Sequence, residues 1–238
     1  MPNLSPIIAA LDVADGKEAL ACVDELSAHV DIFKVGLQLF CKEGPRVIDQ
    51  IADRGKKVFV DLKLHDIPNT VIGALETLVR PGVQFITLHG FGGREMLVRA
   101  REKLMQMREA NGRIETELLC VTVLTSLDDE DMQEIGIDHS AAGEVVRLGR
   151  IAVEAGIHGL VASPEEAALL RRDLGAQVVL VTPGVRLAGD EIGDQKRIAT
   201  PEEAMKNGAN YLVMGRSLLA QKSPAEVAKR VRASLAMV

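Results

Sequence analysis

The chain has 238 residues, of which 47% are hydrophobic and 26% charged, and its formal net charge is −6. This composition is typical of a folded globular protein and excludes an intrinsically disordered chain. The acidic balance, with five Phe, one Tyr and no Trp, argues against a nucleic-acid-binding protein, which needs a basic surface and rings that stack on bases. An anionic ligand would have to be bound by local Lys and Arg side chains.

The cysteines and the apolar runs indicate the cellular compartment of the protein. Cys22, Cys41 and Cys120 are widely spaced and odd in number, which predicts small buried side chains rather than a disulfide framework or a CxxC site. The first residues lack the basic and then apolar character of a signal peptide, and the longest apolar run, 118–124, is too short to span a bilayer. We therefore expect a cytoplasmic protein.

Short apolar strands and amphipathic helices alternate along the whole chain. Eight strands are predicted, over Ile7–Val13, Ile32–Val35, Lys57–Leu64, Phe85–His89, Leu118–Thr125, Gly159–Ala162, Val178–Val185 and Tyr211–Met214. No G-x-G-x-x-G motif follows the first strand, and no linker-like segment divides the chain. The pattern predicts one (β/α)8 barrel domain over residues 1–238 rather than a doubly wound sheet.

Several predicted helices carry boundary signals. The segments 163–166, 200–203 and 223–226 each place Ser or Thr at the N-cap, Pro at the first helical position and Glu at the third, which is the capping-box pattern. Glycines follow four helical stretches and are predicted to end them: Gly55, Gly112, Gly156 and Gly208.

The third predicted strand carries the strongest functional signal. Its aliphatic residues alternate with Phe59, Asp61 and Lys63, so the two charged residues share one face, about 6.6 Å apart at a rise of about 3.3 Å per residue. Asp66 follows just past the strand, and Pro68 suits the first turn of the next helix. A surface ion-pair ladder is the alternative, but apolar alternation is typical of a core strand, in which charges are rare unless paired.

Further charged residues lie at the carboxyl ends of the first two strands, where the active sites of barrels are found. Asp12 ends the inner row of the first strand, and Lys34 lies in the inner row of the second. Each could instead be a rim charge in solvent. Together with Asp61, Lys63 and Asp66 they predict a cluster of mixed sign around one mouth of the barrel.

The loops after the seventh and eighth strands predict a phosphate site. Gly184 and Arg186 lie in the first loop, and Gly215 and Arg216 lie in the second. Glycine permits close approach of the backbone to an anion, and arginine adds charge-assisted hydrogen bonds. An ordinary loop glycine and a surface arginine are the alternative interpretation.

Other polar residues extend the predicted site. The polar segment 187–199 is long for a loop between a strand and a helix, which suits a lid, although a solvated excursion fits the composition equally well. Gln195 in this segment could reach a bound phosphate, and Thr125 and Ser126, at the end of the fifth strand, could bind a ligand ring. No pair of histidines has metal-ligand spacing, so no metal site is predicted.

These motifs resemble the bacterial orotidine 5′-phosphate decarboxylase family. Residues 61–70, Asp-Leu-Lys-Leu-His-Asp-Ile-Pro-Asn-Thr, match that family's D-x-K-x-x-D-I-P-x-T signature in full. Further matches follow in order along the chain, at Leu11-Asp12, Phe33–Gly36, Leu124–Ser126, Val181–Arg186, Asp194-Gln195 and Gly215–Ser217.

The resemblance implies a cofactor-free decarboxylation of orotidine monophosphate to uridine monophosphate, the last step of pyrimidine synthesis, in a homodimer. It also implies that Lys63 protonates C6, while Asp61, beside the scissile carboxylate, either destabilises the substrate or orients Lys63. The other implied roles are ribose contact by Lys34 and Asp12, entry of Asp66 and Thr70 from the second subunit, pyrimidine binding by Ser126 and Thr125, and phosphate binding by Arg186, Gln195, Gly215 and Arg216.

Two alternatives remain open. A metal-dependent sugar-phosphate decarboxylase or aldolase, resembling keto-gulonate phosphate decarboxylase or hexulose phosphate synthase, shares the D-x-K-x-x-D strand but uses magnesium and has Glu where Lys34 stands. A non-catalytic barrel that binds a nucleotide phosphate is the second alternative. Lys34 disfavours the first, and an intact Lys63 disfavours the second.

Overall fold

In the computed structural model, which describes residues 4–187 and 199–236, eight parallel strands close into a barrel in chain order. The strands are β1 (Ile7–Ala10), β2 (Ile32–Gly36), β3 (Lys57–Leu64), β4 (Val83–His89), β5 (Glu117–Val121), β6 (Gly159–Val161), β7 (Val179–Thr182) and β8 (Tyr211–Met214). Each strand pairs with the next, and β8 pairs with β1. The predicted (β/α)8 barrel is confirmed.

Helices on the outside of the barrel connect most of the strands. They are α1 (Gly16–Leu26), α2 (Leu37–Glu43), α3 (Arg46–Ala52), α4 (Pro68–Leu78), α5 (Gly93–Ala110), α6 (Asp129–Glu134), α7 (Ala141–Glu154), α8 (Pro164–Leu174), α9 (Pro201–Lys206), α10 (Arg216–Leu219) and α11 (Pro224–Leu235). Within the described part of the chain, none of them is long and apolar enough to cross a membrane.

The core has two layers because successive strand residues face opposite ways. On β3, Val58 and Val60 pack outward against the helices, whereas Phe59 points into the barrel, as the alternation predicts. The inner layer is formed by Ile8, Ala10, Ile32, Phe59, Phe85, Leu119, Val121, Val161, Val181 and Val213. This apolar plug fills the barrel below the carboxyl ends of the strands.

Four strands end earlier than predicted, β6 by a single residue, at Val161, and the other three by three or four residues. β1 ends at Ala10 because the N–H of Asp12 turns back to the Ala10 carbonyl, at 2.9 Å, and leaves the ladder. β7 ends at Thr182 because Pro183 has no N–H with which to continue the ladder. β5 ends at Val121, so the predicted extension to residue 125 is a loop and a turn.

The helix-boundary signals are confirmed in part. The α9 box is complete, since Thr200 and Glu203 each accept a hydrogen bond from the other's backbone N–H. The predicted box at 223–226 is wrong, because Ser223 makes no side-chain cap and Glu226 lies 3.8 Å from Lys229.

The helix ends predicted from glycines are also confirmed in part. Gly55, Gly156 and Gly208 have positive φ, as helix-ending glycines do. Gly112 does not, because α5 already ends in the extended residue Asn111.

Two of the cysteines show how burial follows from the packing of their elements. Cys120 is buried in the outer layer of β5, and burial raises the pKa of its thiol to about 12. Cys41 is exposed, contrary to the prediction, because Leu39 is the residue that the short helix α2 buries.

The close approach of β6 to β7 yields a stability prediction. A Cβ at Gly159 would lie 2.4 Å from the Val179 carbonyl oxygen and 2.8 Å from the Val179 Cβ. Gly159→Ala should therefore lower the free energy of unfolding in urea by about 1–3 kcal/mol, as overpacking does. The matched control is Gly112→Ala, whose Cβ meets nothing within 4 Å. An equal loss in both variants would show that tight packing at Gly159 is not the cause.

Candidate active site

A cavity of about 570 Å³ opens at the carboxyl end of the barrel. Eight of the predicted site residues line it: Asp12, Lys34, Asp61, Lys63, Thr125, Arg186, Gly215 and Arg216. They come from strands on both sides of the barrel, and the barrel's closure brings them to one mouth.

Four charges of alternating sign form one side of the cavity. The Lys34 Nζ lies 3.1 Å from Asp12 Oδ1 and 3.6 Å from Asp61 Oδ2. The Lys63 Nζ lies 3.0 Å from both carboxylate oxygens of Asp61. Lys34 and Asp61 are buried, with exposed fractions of 8% and 9%, and buried charges need such partners. We call Asp12, Lys34, Asp61 and Lys63 the charged array; its formal charges cancel.

Two further residues support this array: Gly36, the last residue of the matched segment Phe33–Gly36, and Gln38, which the sequence analysis did not single out. A Cβ at Gly36 would lie 2.9 Å from the Lys34 Nζ and 3.3 Å from Asp12 Oδ1, so a larger residue here would shift the Lys34 ammonium. Gln38 lines the cavity, and its Nε2 donates to the Val13 carbonyl at 3.1 Å, which ties α2 to the loop after β1.

The strand that carries Asp61 and Lys63 is not regular, contrary to the even alternation in its sequence. Val60 pairs with Ile86 of β4 and Leu64 pairs with Leu88, so three residues of β3 face a single residue, Thr87. Lys63 has a φ of 50°, and among the residues described it alone combines a side chain with positive φ. Bulges of this kind redirect side chains and recur next to active sites.

Thr87, the residue opposite the bulge, was missed by the sequence analysis. Its side chain is fully buried; its oxygen accepts from the Lys63 backbone N–H at 2.9 Å, and its hydroxyl donates to Asp61 Oδ1 at 3.1 Å. The available signal was that Thr87 alternates with Phe85, which also points into the barrel.

The loops after β7 and β8 form the opposite side of the cavity. Gly184, with a φ of 83°, and Arg186 come from the first loop, while Gly215 and Arg216 come from the second. The Ser217 hydroxyl donates to the Val185 carbonyl at 3.3 Å and joins the two loops. This side therefore supplies two guanidinium groups and two glycines to one cavity.

The described ends of the predicted lid meet beside this cavity. Val185 forms a bridge with Ala199, and the Arg186 N–H donates to the Ala199 carbonyl at 3.0 Å. Residues 188–198 of the predicted lid, which include Gln195, lie outside the described residues.

Three predicted residues are not among those that line the cavity: Asp66, Thr70 and Ser126. All three are exposed. Asp66 Oδ1 accepts from the Ile67 N–H at 2.7 Å, and Thr70 lies in the first turn of α4. Ser126 and Thr125 lie in a turn beyond β5, and of the two only Thr125 lines the cavity.

Two histidines stack at the rim next to Lys63. The rings of His65 and His89 are 5.4 Å apart between centroids. Burial, together with the charges of His65 and Lys63, lowers the pKa of His89 to about 4. His89 is therefore neutral at pH 7, and its Nδ1 accepts from the Phe91 N–H at 3.4 Å. Within residues 4–187 and 199–236, no group of three or more His, Cys, Asp or Glu side chains is placed to hold a metal ion.

Comparison with known proteins gives consistent matches over nearly the whole chain. Residues 5–231 match the model of the orotidine 5′-phosphate decarboxylase / HUMPS family. The chain is 45% identical to orotidine 5′-phosphate decarboxylase of Moorella thermoacetica, over 98% of this chain and 92% of that protein. It is 42% identical to the enzyme of the same name from Actinobacillus succinogenes, over 98% and 99% of the two chains.

Solved structures agree with this assignment. The crystal structure of orotidine 5′-phosphate decarboxylase from Lactobacillus acidophilus superposes with a TM-score of 0.84 at 32% identity, covering 96% of this chain and 98% of that one. An uncharacterised conserved protein from Geobacillus kaustophilus gives a TM-score of 0.83 at 33% identity, covering 96% and 99%. The chain belongs to the orotidine 5′-phosphate decarboxylase / HUMPS family.

Proposed function

We propose that this protein decarboxylates orotidine 5′-monophosphate to uridine 5′-monophosphate in pyrimidine biosynthesis, with Lys63 as the proton donor to C6. The observation that carries the proposal is the charged array, which lies in the same cavity as the two arginine loops. Membership of the family and the decarboxylases among the relatives support the reaction.

The charge distribution of the cavity suits this substrate. The charged array is neutral as a whole, and Arg186 and Arg216 bring two guanidinium groups to the opposite side of the cavity. A phosphate dianion binds there, and Gly184 and Gly215 allow its oxygens close to the backbone. The ribose then lies beside Asp12 and Lys34, and the ring reaches Lys63. Thr125, on the cavity wall, would contact the pyrimidine, and its chain neighbour Ser126 would do so only after moving toward the cavity.

The chemistry requires a cation and a proton at one ring carbon. Loss of carbon dioxide leaves an electron pair at C6 in the plane of the ring, where the ring cannot delocalise it. The Lys63 ammonium stabilises this pair and then donates a proton to it. The two 3.0 Å contacts from Asp61 support its role in orienting Lys63, because they hold the ammonium on one carboxylate. Binding energy from the remote phosphate, with Gln195, helps to position the ring.

In this proposal the protein works as a homodimer with shared sites. Asp66 and Thr70 do not line their own cavity, yet they flank Ile67, a large apolar side chain that is 68% exposed. An exposed apolar residue at the rim suits a subunit contact. A second copy related by two-fold symmetry would bring Asp66 and Thr70 to the partner's cavity.

The first test of the proposal is turnover of orotidine monophosphate by the Lys63→Ala variant. Loss of a general acid should lower kcat by at least about 10³-fold, while uridine monophosphate still binds, because the phosphate loops are untouched. The measurement is the absorbance change of the substrate, with calorimetry for the product. Lys57→Ala, at the other end of β3, is the matched control and should retain activity.

Two results would contradict this assignment. Turnover by Lys63→Ala within about tenfold of the unsubstituted protein would mean that another group donates the proton. If the unsubstituted protein shows no turnover of orotidine monophosphate but converts sugar phosphates in the presence of magnesium, the metal-dependent alternative is supported.

The phosphate site gives a second prediction. Arg186→Ala should weaken binding of uridine monophosphate by about 10- to 100-fold and leave the weaker binding of uridine unchanged, since a charge-assisted hydrogen bond to phosphate is lost. Calorimetry with both ligands measures the difference, and Arg172→Ala on α8 is the control. Equal weakening of nucleotide and nucleoside would exclude phosphate as the partner of Arg186.

The shared site gives a third prediction. When Lys63→Ala and Asp66→Ala subunits exchange, about half of the dimers are mixed, and roughly a quarter of all sites regain both native residues. Turnover should rise from near zero to that fraction of the unsubstituted value. A mixture of Lys63→Ala with the double variant Lys63→Ala/Asp66→Ala is the control, since it forms no native site. If verified subunit exchange brings no gain, Asp66 acts within its own chain or not at all.

A further inference from the structure

Thr87 is fully buried, and its hydrogen bonds join the backbone of Lys63 to the side chain of Asp61. It belongs to β4, the neighbour of the strand that carries both charged residues. Neither of its hydrogen bonds is part of the regular sheet ladder, because the ladder is interrupted between Val60 and Leu64.

The interruption leaves the Lys63 N–H without a ladder carbonyl, and the Thr87 oxygen accepts its hydrogen bond instead. Three residues of β3 face Thr87 alone, so the bulge has more backbone N–H groups than the opposite strand has carbonyls. The Lys63 N–H, at 2.9 Å, takes the Thr87 oxygen in place of a ladder carbonyl. A φ of 50° is sparsely populated for a residue with a side chain, and it persists only when surrounding contacts hold it.

The single hydroxyl makes both bonds at once. A threonine hydroxyl has one proton to donate and lone pairs that accept. Here the proton goes to Asp61 Oδ1 at 3.1 Å, and a lone pair takes the Lys63 N–H. The same Asp61 oxygen lies 3.0 Å from the Lys63 Nζ. Thr87, the carboxylate and the lysine thus close a ring of three contacts.

We infer that Thr87 is a positioning residue of the reaction: it fixes the bulge and the Asp61 carboxylate together, and so sets where the Lys63 ammonium stands when the proton is transferred. The inference rests on the proposed function, because it concerns the step that Lys63 performs. Thr87 is not among the residues that line the cavity, so it acts through Asp61 and Lys63 and leaves substrate binding unchanged.

The position of the ammonium matters because proton transfer requires a near-attack geometry. A shift of about 1 Å at a reacting group can lower a rate by about 100-fold. Without the hydroxyl, the Lys63 N–H has no acceptor in the bulge and one Asp61 oxygen loses a donor, and the backbone of Lys63 is free to relax toward the extended region.

The experiment compares two substitutions at Thr87 that differ in one group. Thr87→Val keeps the shape and removes the hydroxyl, whereas Thr87→Ser keeps the hydroxyl and removes a methyl. We expect Thr87→Val to lower kcat with orotidine monophosphate by about 10- to 100-fold, with KM within about twofold, and Thr87→Ser to stay within about threefold of the unsubstituted kcat. Thr87→Cys, whose S–H is a weak donor, is made in parallel and should behave like the valine variant.

A purely structural role is separated by a control and a second readout. Thr116 is equally buried and donates to the Val83 carbonyl at 2.9 Å at the opposite end of the barrel. Thr116→Val should lower the thermal midpoint but leave kcat unchanged. In addition, amide hydrogen exchange at Lys63 should accelerate in Thr87→Val and not in Thr87→Ser, because the bond from its N–H is lost only in the former.

The outcomes are distinguishable from those that test the proposed function. If the unsubstituted protein does not decarboxylate orotidine monophosphate, the proposed function fails. If it does, and folded Thr87→Val or Thr87→Cys retains the full kcat, the inference about Thr87 is wrong while the function stands. A fall in kcat that Thr87→Ser shares equally, or that Thr116→Val reproduces, also overturns it.

Discussion

The structure depends above all on one buried carboxylate, that of Asp61. It lies inside the barrel with an exposed fraction of 9%, where an uncompensated anion would be strongly unfavourable. The compensation comes from three neighbouring strands: Lys34 of β2 at 3.6 Å, Lys63 of β3 at 3.0 Å and the Thr87 hydroxyl of β4 at 3.1 Å. One buried charge thus links three adjacent strands. The contacts that offset the cost of burying Asp61 also hold Lys34 and Lys63 beside the cavity.

The closure of the barrel explains why residues from the two ends of the chain share a site. β8 pairs with β1, which brings the loop that begins at Gly215 against the end of β1. A Cβ at Gly215 would lie 3.5 Å from the Ala10 Cβ and 3.6 Å from Asp12 Oδ2. The loops that suit phosphate and the charged array therefore adjoin directly, and a ligand with an anion at one end and a reacting ring at the other can contact both at once. An open sheet in the same strand order would place these two groups on opposite edges.

The sequence predicted the elements better than their irregularities. Eight strand–helix repeats were recognisable because inner and outer residues alternate, and the charged residues at strand ends followed from the fold. The bulge was not recognisable, because residues 57–64 alternate without a break and the extra residues are visible only against the register of β4. Thr87 was missed for the same reason: a single threonine in an apolar strand gains meaning only from the residue opposite it. Thr125 and Ser126 were assigned to a strand end, but one lines the cavity and the other is exposed.

The ten-residue segment 61–70 joins two physical environments, and the bulge marks the boundary between them. Asp61 and Lys63 lie on the inner side, with their charges paired, and both line the cavity. Asp66 and Ile67 follow where β3 has ended and α4 is about to begin, and both are exposed. The Asp66 carboxylate accepts the Ile67 N–H, which fixes it at the rim, and Asp66 is not among the residues that line the cavity of the charged array. In the proposed homodimer this exposed carboxylate would face the partner's cavity, and activity would then depend on association and hence on protein concentration.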